Sequence, residues 1–243
     1  MTKEKSPLEL LTEGSAALGL DLDDATTETL MAYLGEIAAW NERFNLTAIT
    51  DTGEMVVKHL LDSLALLSRF ELPLGATVVD IGTGAGLPGI PLKLVRPDLE
   101  LTLLESSAKK SSFLAHIIER FGLEKTVVAN ERAEKFGRRP ENRENFYVAV
   151  SRAVAELAVL VEYALPLLRV GGSFYCYKAK GARDEAAGAQ RALDLLGGRI
   201  DEVAEVVVPF LNAKRYLVAV TKIASSGEAY PRRAGAPAKR PIR

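Results

Sequence analysis

Asp80-Ile81-Gly82-Thr83-Gly84-Ala85-Gly86-Leu87-Pro88-Gly89 decides the fold. The apolar run Thr77-Val78-Val79-Asp80-Ile81 leads into it, and a helical pattern over 88–95 leads out. A strand that ends in glycines and opens a helix is the setting in which such a loop cradles a ligand. Its glycines let backbone approach closely, and the helix N–H groups point into the site. Outward from the loop, strand and helix alternate. Strands are predicted over 99–104, 126–129, 146–151 and 172–178, with helices over 109–121 and 154–168. Two late strands, 203–208 and 216–221, read as a hairpin. Continuous apolar strands alternating with helices imply an α/β fold, with a mostly parallel sheet covered on both faces and one antiparallel strand from the hairpin. In such sheets ligands sit at the carboxyl ends of the strands, where strand order reverses.

Two ligand classes suit this loop, a nicotinamide dinucleotide and S-adenosylmethionine. The dinucleotide fingerprint is G-x-G-x-x-G, whose third glycine packs helix on strand. Here Leu87 holds that place, the spacing is G-x-G-x-G, and Asp80 precedes the first glycine where an apolar residue is usual. The predicted second strand ends at Glu105, whose carboxylate can accept hydrogen bonds from two ribose hydroxyls. S-adenosylmethionine has no pyrophosphate for a helix N-terminus, but offers an amino group and a sulfonium to carboxylates. Asp-x-Gly-x-Gly-x-Gly resembles motif I of class I methyltransferases.

Composition bounds the rest. The chain has 243 residues, 48% of them hydrophobic, and one cysteine, Cys176. That is enough to bury a core without disulfides, and it excludes collagen, coiled coil and wholesale disorder. A single cysteine cannot pair within the chain, so a reducing compartment, the cytoplasm, is expected. No run approaches the ~20 apolar residues of a membrane span, and the first 14 residues carry no signal-peptide core. The net charge of −1 is an average. Residues 1–60 hold four basic and 11 acidic side chains, the remainder 27 basic and 21 acidic, and the last 19 residues five basic and one acidic.

The chain accordingly divides into three parts. Residues 1–72 form a helical N-terminal extension, with Leu30, Tyr33, Leu34 and Ile37 at helical spacing, Thr26 or Thr27 as a cap, and a further helix over 53–70. Residues 73–224 form the catalytic domain. Residues 225–243, rich in Gly, Pro, Arg and Lys, form a basic tail expected to be loosely held.

A closer resemblance rests on Trp40-Asn41-Glu42-Arg43-Phe44-Asn45-Leu46-Thr47, on His59-Leu60-Leu61-Asp62-Ser63, and on the loop continued through Leu87-Pro88-Gly89-Ile90. Leu103-Leu104-Glu105-Ser106 with Lys109-Lys110, Ser151-Arg152-Ala153, Tyr177-Lys178, Arg215 and the tail from Tyr230 add to it. From about residue 30 onward the chain resembles the GidB/RsmG family. That resemblance implies a class I S-adenosylmethionine-dependent methyltransferase with a helical N-terminal extension. It also implies methylation of guanine N7 in the 530 loop of bacterial 16S rRNA. The chain departs from the family pattern at Tyr147, where relatives usually carry Asp, at Glu105, often Asp, and at Ala179, often Gly.

The resemblance implies cofactor contacts from Asp80, Gly82, Gly84, Gly86, Leu87 and Ser106, with Gly82, Gly84 and Leu87 lining the methionine end. It further implies Glu105 at the ribose, Ala133 and Glu134 at the adenine, and Arg152 facing the transfer pocket beside Lys178. RNA contacts are expected from Lys109, Lys110, Lys178, Arg215, Arg232, Arg233, Lys239 and Arg240. The partner is 16S rRNA or the 30S particle, and the expected state is a monomer with no metal. N7 carries a lone pair and no proton, so no general base is expected, only alignment and water exclusion. Other substrate classes stay open at this level, a small molecule or protein among them, as does a non-catalytic cofactor-binding module. Plainer roles are expected elsewhere: core or capping for His59 and His116, packing for Trp40, a solvated loop for Arg138, Arg139 and Arg143, and apolar filling for Cys176.

Overall fold

A computed structural model describes residues 5–243; the first four residues of the N-terminal stretch read above lie outside that range. Seven strands form one sheet: β1 (Thr77–Ile81), β2 (Glu100–Leu104), β3 (Thr126–Ala129), β4 (Phe146–Arg152), β5 (Leu168–Lys178), β6 (Gly198–Val206) and β7 (Arg215–Lys222). Their order is β3-β2-β1-β4-β5-β7-β6. Strands β1 to β5 run parallel, and β7 is antiparallel to both β5 and β6. Strand order reverses between β1 and β4, so a crevice opens at their carboxyl ends.

Alternate residues serve opposite faces. Val78, Leu103, Val148 and Val150 enter one apolar cluster, and Val79, Leu104 and Ala149 enter the other. This period of two, with both faces buried, is why the strands read as unbroken apolar runs. The first face is covered by α1 (Pro7–Ala17), α2 (Asp24–Asn41), α5 (Gly89–Val95) and α6 (Ala108–Arg120). With them lies a helical stretch made of α3 (Thr52–Met55), a π-helical segment Val56–Leu61 and α4 (Asp62–Leu64). The second face carries α7 (Ala133–Phe136), α8 (Leu157–Ala164), α9 (Ala182–Gly188) and α10 (Gln190–Leu196). Among the described residues no helix is long and apolar enough to cross a membrane.

Local chemistry sets the helix ends. Ser6 and Glu9 form a reciprocal capping box on α1. The cap of α2 is Asp23, accepting from the Thr26 N–H at 2.7 Å, in place of the expected Thr26 or Thr27. Thr27 is buried instead. The helix expected over 53–70 is interrupted by the π-helical segment and ends at Leu64. Helices α9 and α10 escape a periodicity reading because alanines make much of their contact: Ala182, Ala186, Ala189 and Ala192 are all buried.

The tail is the main correction. It is folded back and held at several points. Arg143 donates to the carbonyls of Tyr230, Ser226 and Gly227, and Arg138 to that of Pro231 at 2.7 Å. Arg138 and Arg143 therefore clamp the tail, while Arg139 stays exposed and pairs with Glu131. The Gly235 N–H reaches Glu134 at 2.6 Å, and a last turn, α11 (Ala236–Lys239), follows. Lys222, fully buried, donates to the carbonyls of Leu165 and Leu196 and to the Ser226 hydroxyl, fixing where the tail begins. Burial lowers the Lys222 pKa to about 8. A Gly- and Pro-rich composition permits looseness, but tertiary hydrogen bonds to otherwise unpaired carbonyls override it.

Candidate functional site

The loop after β1 needs glycine three times. Gly82, Gly84 and Gly86 take φ of 68, 62 and 92°, in the left-handed region that side chains strain. A Cβ on Gly86 would lie 2.4 Å from Ile90 Cγ1, so this glycine also admits the helix behind it. Asp80 is fully buried beneath the loop. Its Oδ2 accepts from the Thr83 hydroxyl at 2.6 Å and from the Gly89 N–H at 2.8 Å, which ties the strand end to the start of α5. Burial pushes its pKa up to about 6, against the lowering by those two hydrogen bonds. Its Oδ1 has no hydrogen-bond partner. Tyr33, from α2, donates to the Ala85 carbonyl at 2.6 Å, so the N-terminal helices brace the loop directly.

Glu105 closes the loop's other side. Its Oε2 accepts from the Gly84 N–H at 3.1 Å and its Oε1 from the Ser107 N–H at 2.7 Å. A cavity of about 150 Å³ lies between these strand ends, lined by Gly82, Ser106, Glu131, Ala133, Glu134, Val154 and Tyr163 among others. Of the residues expected at a cofactor, Gly82, Ser106, Ala133 and Glu134 line it. Asp80, Gly84, Gly86 and Glu105 lie around the loop without lining that cavity, Arg152 lines a second cavity, and Leu87 is buried in the apolar cluster on the first face. Glu134 turns its Oε1 to the tail at Gly235.

Glu131, Val154 and Tyr163 were not legible as site residues. Glu131 sets burial against Lys135 and Arg139; the two cations win and hold its pKa low. Its Oε2 is buried and unpartnered. Two orphan carboxylate oxygens, on Asp80 and Glu131, suit a ligand that brings donors, as the ammonium, amine and hydroxyls of S-adenosylmethionine would. A Cβ built on Gly84 would meet no side chain within 4 Å, so the loop has open space above it. The donor set fits that cofactor.

A second cavity of about 400 Å³ lies beyond the carboxyl end of β4, lined by Ile49, His59, Asp62, Arg152, Tyr177, Lys178 and Arg215 among others. The segment Ala153–Val154 stands between the two cavities, Ala153 lining the second and Val154 the first. Asp62 joins two arginines across it. Arg152 donates to Oδ2 at 3.0 Å and Arg215 Nε to Oδ1 at 3.0 Å, while Arg152 also reaches the Lys58 carbonyl at 3.1 Å. Three charges from three distant segments thus leave one net positive charge at the cavity wall. Lys178 is committed elsewhere, to the Ala155 carbonyl at 2.6 Å and to Glu185 at 2.7 Å. Tyr177 donates to the Ser63 carbonyl at 2.6 Å. His59 is held neutral, its pKa lowered to about 4 by burial and the charge of Arg152. It meets Thr47 Oγ1 at 3.0 Å.

The cations expected at RNA separate into two groups. Arg232 is bound twice over to buried Glu162, with Nη2 to Oε2 at 2.6 Å and Nε to Oε1 at 2.9 Å, which removes it from that set. Arg233, Lys239 and Arg240 are exposed, without carboxylate partners among the described residues. Lys109 and Lys110 stand at the start of α6 beside Arg43. Trp40 packs on Phe44, Phe113 and His116, with centroids 5.1–5.7 Å apart.

The family described as rRNA small subunit methyltransferase G (GidB) matches residues 26–217. A ribosomal RNA small subunit methyltransferase G of Alkaliphilus metalliredigens is 42% identical over 234 residues, which cover 96% of this chain and 98% of that one. Its counterpart in Roseiflexus castenholzii is 47% identical over 225 residues, covering 92% and 95%. Among solved structures, a SAM dependent methyltransferase from Aquifex aeolicus is similar with a TM-score of 0.52 at 17% identity, over 68% of this chain and 91% of that one. The YcgJ protein from Bacillus subtilis gives 0.52 at 14%, over 67% and 99%. These two likenesses speak for the fold alone, the class I, Rossmann-like methyltransferase fold that the sheet order already describes. Sequence identity sustained over nearly the whole chain goes further: the chain belongs to the GidB family, the rRNA small subunit methyltransferases G.

Proposed function

We infer that this chain methylates N7 of a guanine in the 530 loop of 16S rRNA, using S-adenosylmethionine. One observation carries the reading. The glycine-loop cavity and the Arg152–Asp62–Arg215 cavity adjoin across the end of β4, and neither offers an activated base. When bound, S-adenosylmethionine supplies an electrophilic methyl group. Asp80 and Glu131 would hold its donor groups through their unpartnered oxygens. Glu105 would take the ribose with the lone pairs left free by Gly84 and Ser107.

Guanine N7 is an in-plane lone pair without a proton, so no residue needs to remove one. His59, with its pKa lowered to about 4, is too weak a base to serve as one, in keeping with that requirement. What remains for the protein is alignment and exclusion of water. O6 lies beside N7 on the same base edge and is the usual partner of arginine. Arg152 and Arg215, kept in place by Asp62, are assigned to O6 or a flanking phosphate. Lys178, neutralised by Glu185, positions the segment after β4 and does not touch the base. A-form RNA hides N7 in a deep, narrow groove, so the guanine must be looped out to enter.

Cofactor affinity is expected to depend on pH. A cationic ligand favours ionised Asp80, whose carboxyl titrates at about 6 in the free protein. Binding therefore lowers that pKa, and affinity falls as pH drops below about 6, by up to about tenfold per unit. Isothermal titration across this range reads the profile, and Asp80→Asn should flatten it. A flat wild-type profile would place the ammonium elsewhere.

The function itself is tested with tritiated cofactor offered to unmethylated 30S subunits, free 16S rRNA and total protein. Label is expected at N7 of one guanine in the 530 loop. Label confined to protein or small molecules would refute the reading.

A further inference from the structure

Resting on the RNA-substrate reading, the geometry points to a phosphodiester cradle formed by Arg43, Lys109 and Lys110 beside the cofactor site. Arg43 comes from the turn after α2 and the lysines from the first turn of α6, yet they line one cavity of about 290 Å³ with Phe44, Asn45 and Ser107. Among the described residues no carboxylate lines it. Arg215, Lys178 and Arg232 are all ion-paired, whereas among the described residues none of these three cations has a carboxylate within 4.0 Å.

Nothing in the fold asks for positive charge here. Cations at a helix N-terminus oppose its dipole. The N-cap of α6, Ser107, makes no side-chain capping bond, and its first turn holds no acidic residue. The start of the helix therefore presents free N–H groups together with two ammonium groups, an arrangement an anion would relieve. Arg43 lies within the acidic first 60 residues, where only four side chains are basic.

The turn carrying Arg43 is rigid. Asn41 Oδ1 accepts from the Leu46 and Thr47 N–H groups at 2.8 and 3.0 Å. The Phe44 ring is pinned between Trp40 and the Lys109 ammonium, which sits 5.7 Å from its centroid. The cradle is thus built before its ligand arrives. S-adenosylmethionine carries no phosphate, so the cofactor is not that ligand. The Ser107 N–H bonds Glu105, which sets the cradle two residues from the carboxylate assigned to the ribose. An RNA strand delivering its base to the transfer cavity would lay a backbone phosphate here.

The test measures binding of unmethylated 16S rRNA against salt concentration for the wild type, for Arg43→Ala/Lys109→Ala/Lys110→Ala and for Arg43→Lys. The triple variant should bind roughly tenfold more weakly at low salt, with the slope of log K against log salt reduced by about 0.7, as the loss of one neutralised phosphate requires. S-adenosylmethionine affinity, measured by titration, should stay at the wild-type value, and Arg43→Lys should keep the slope. Unchanged rRNA affinity and slope in a triple variant that binds cofactor normally would overturn the cradle alone. A wild-type protein that neither binds nor methylates the rRNA would overturn the functional reading and the cradle with it. Should the triple variant lose cofactor binding too, the single variants Arg43→Ala and Lys109→Ala decide, each expected to weaken rRNA binding by part of the triple variant's loss while binding cofactor normally.

Discussion

Asp62→Ala is expected to lower the unfolding free energy by about 3–5 kcal/mol and methyl transfer by roughly 100-fold. The Asp62 side chain is 8% exposed and accepts one guanidinium on each oxygen, Arg152 from β4 and Arg215 from β7. Removing it leaves two part-buried cations facing each other with no anion between them. Such a cost exceeds the net worth of the ion pairs, because the surviving charges stay desolvated. The arginines would then swing apart. A transfer that works by alignment tolerates little of this, since a displacement of about 1 Å can cost about a hundredfold in rate. The loss should fall on kcat at saturating cofactor, because Asp62 does not line the glycine-loop cavity. Asp62→Asn should be intermediate, as its amide oxygen can serve only one guanidinium well. Urea denaturation and single-turnover transfer measure the two effects. Wild-type stability and rate in Asp62→Ala would show that the bridge serves neither.

Arg232→Ala is expected to cost a comparable amount, about 3–5 kcal/mol, without changing the salt dependence of rRNA binding. Glu162 has no exposed side-chain surface, and Arg232 supplies both its guanidinium partner and a backbone N–H at 2.8 Å. The alanine variant keeps only that N–H for a buried carboxylate. The last 19 residues should then detach and become sensitive to limited proteolysis. Replacing the pair together, as Glu162→Leu/Arg232→Met, should recover most of the stability, since an apolar pair of similar volume carries no desolvated charge. If Arg232→Ala left stability intact but reduced the salt slope, Arg232 would be a phosphate contact and the tail an RNA-binding arm.

These two residues show where one-dimensional reading stops. Asp62 sits in a matched stretch, His59-Leu60-Leu61-Asp62-Ser63, but nothing local says that its carboxylate meets arginines 90 and 153 positions away. Arg232 reads as one of five cations in a basic tail; its partner Glu162 lies inside an otherwise apolar helix. Glu131 and Tyr163 were invisible for the same reason, since they reach the cavity only once β3 and α8 are in place. Lys178 lines the second cavity, but its neutralisation by Glu185 depends on α9, which the alanine-rich sequence concealed.

Local signals, in contrast, were sufficient for the frame. Three glycines after Thr77-Val-Val-Asp-Ile81 demand a left-handed turn between strand and helix, and the apolar runs that alternate with helices demand a doubly covered sheet. These are properties of backbone geometry and of a period of two, and both are written in neighbouring residues. The resemblance carried by Trp40–Thr47 and the loop named the family from the residues alone. Which cations are free to meet RNA is a different kind of fact. Charge is additive along a sequence but is cancelled pairwise in space, through partners that only the folded chain brings within 4.0 Å. The sequence therefore determined the sheet, the glycine loop and the family. Tertiary structure decided that Arg232 and Lys178 each meet a carboxylate of their own, that Arg152 and Arg215 share one, and that Arg43, Lys109 and Lys110 have none within 4.0 Å among the described residues.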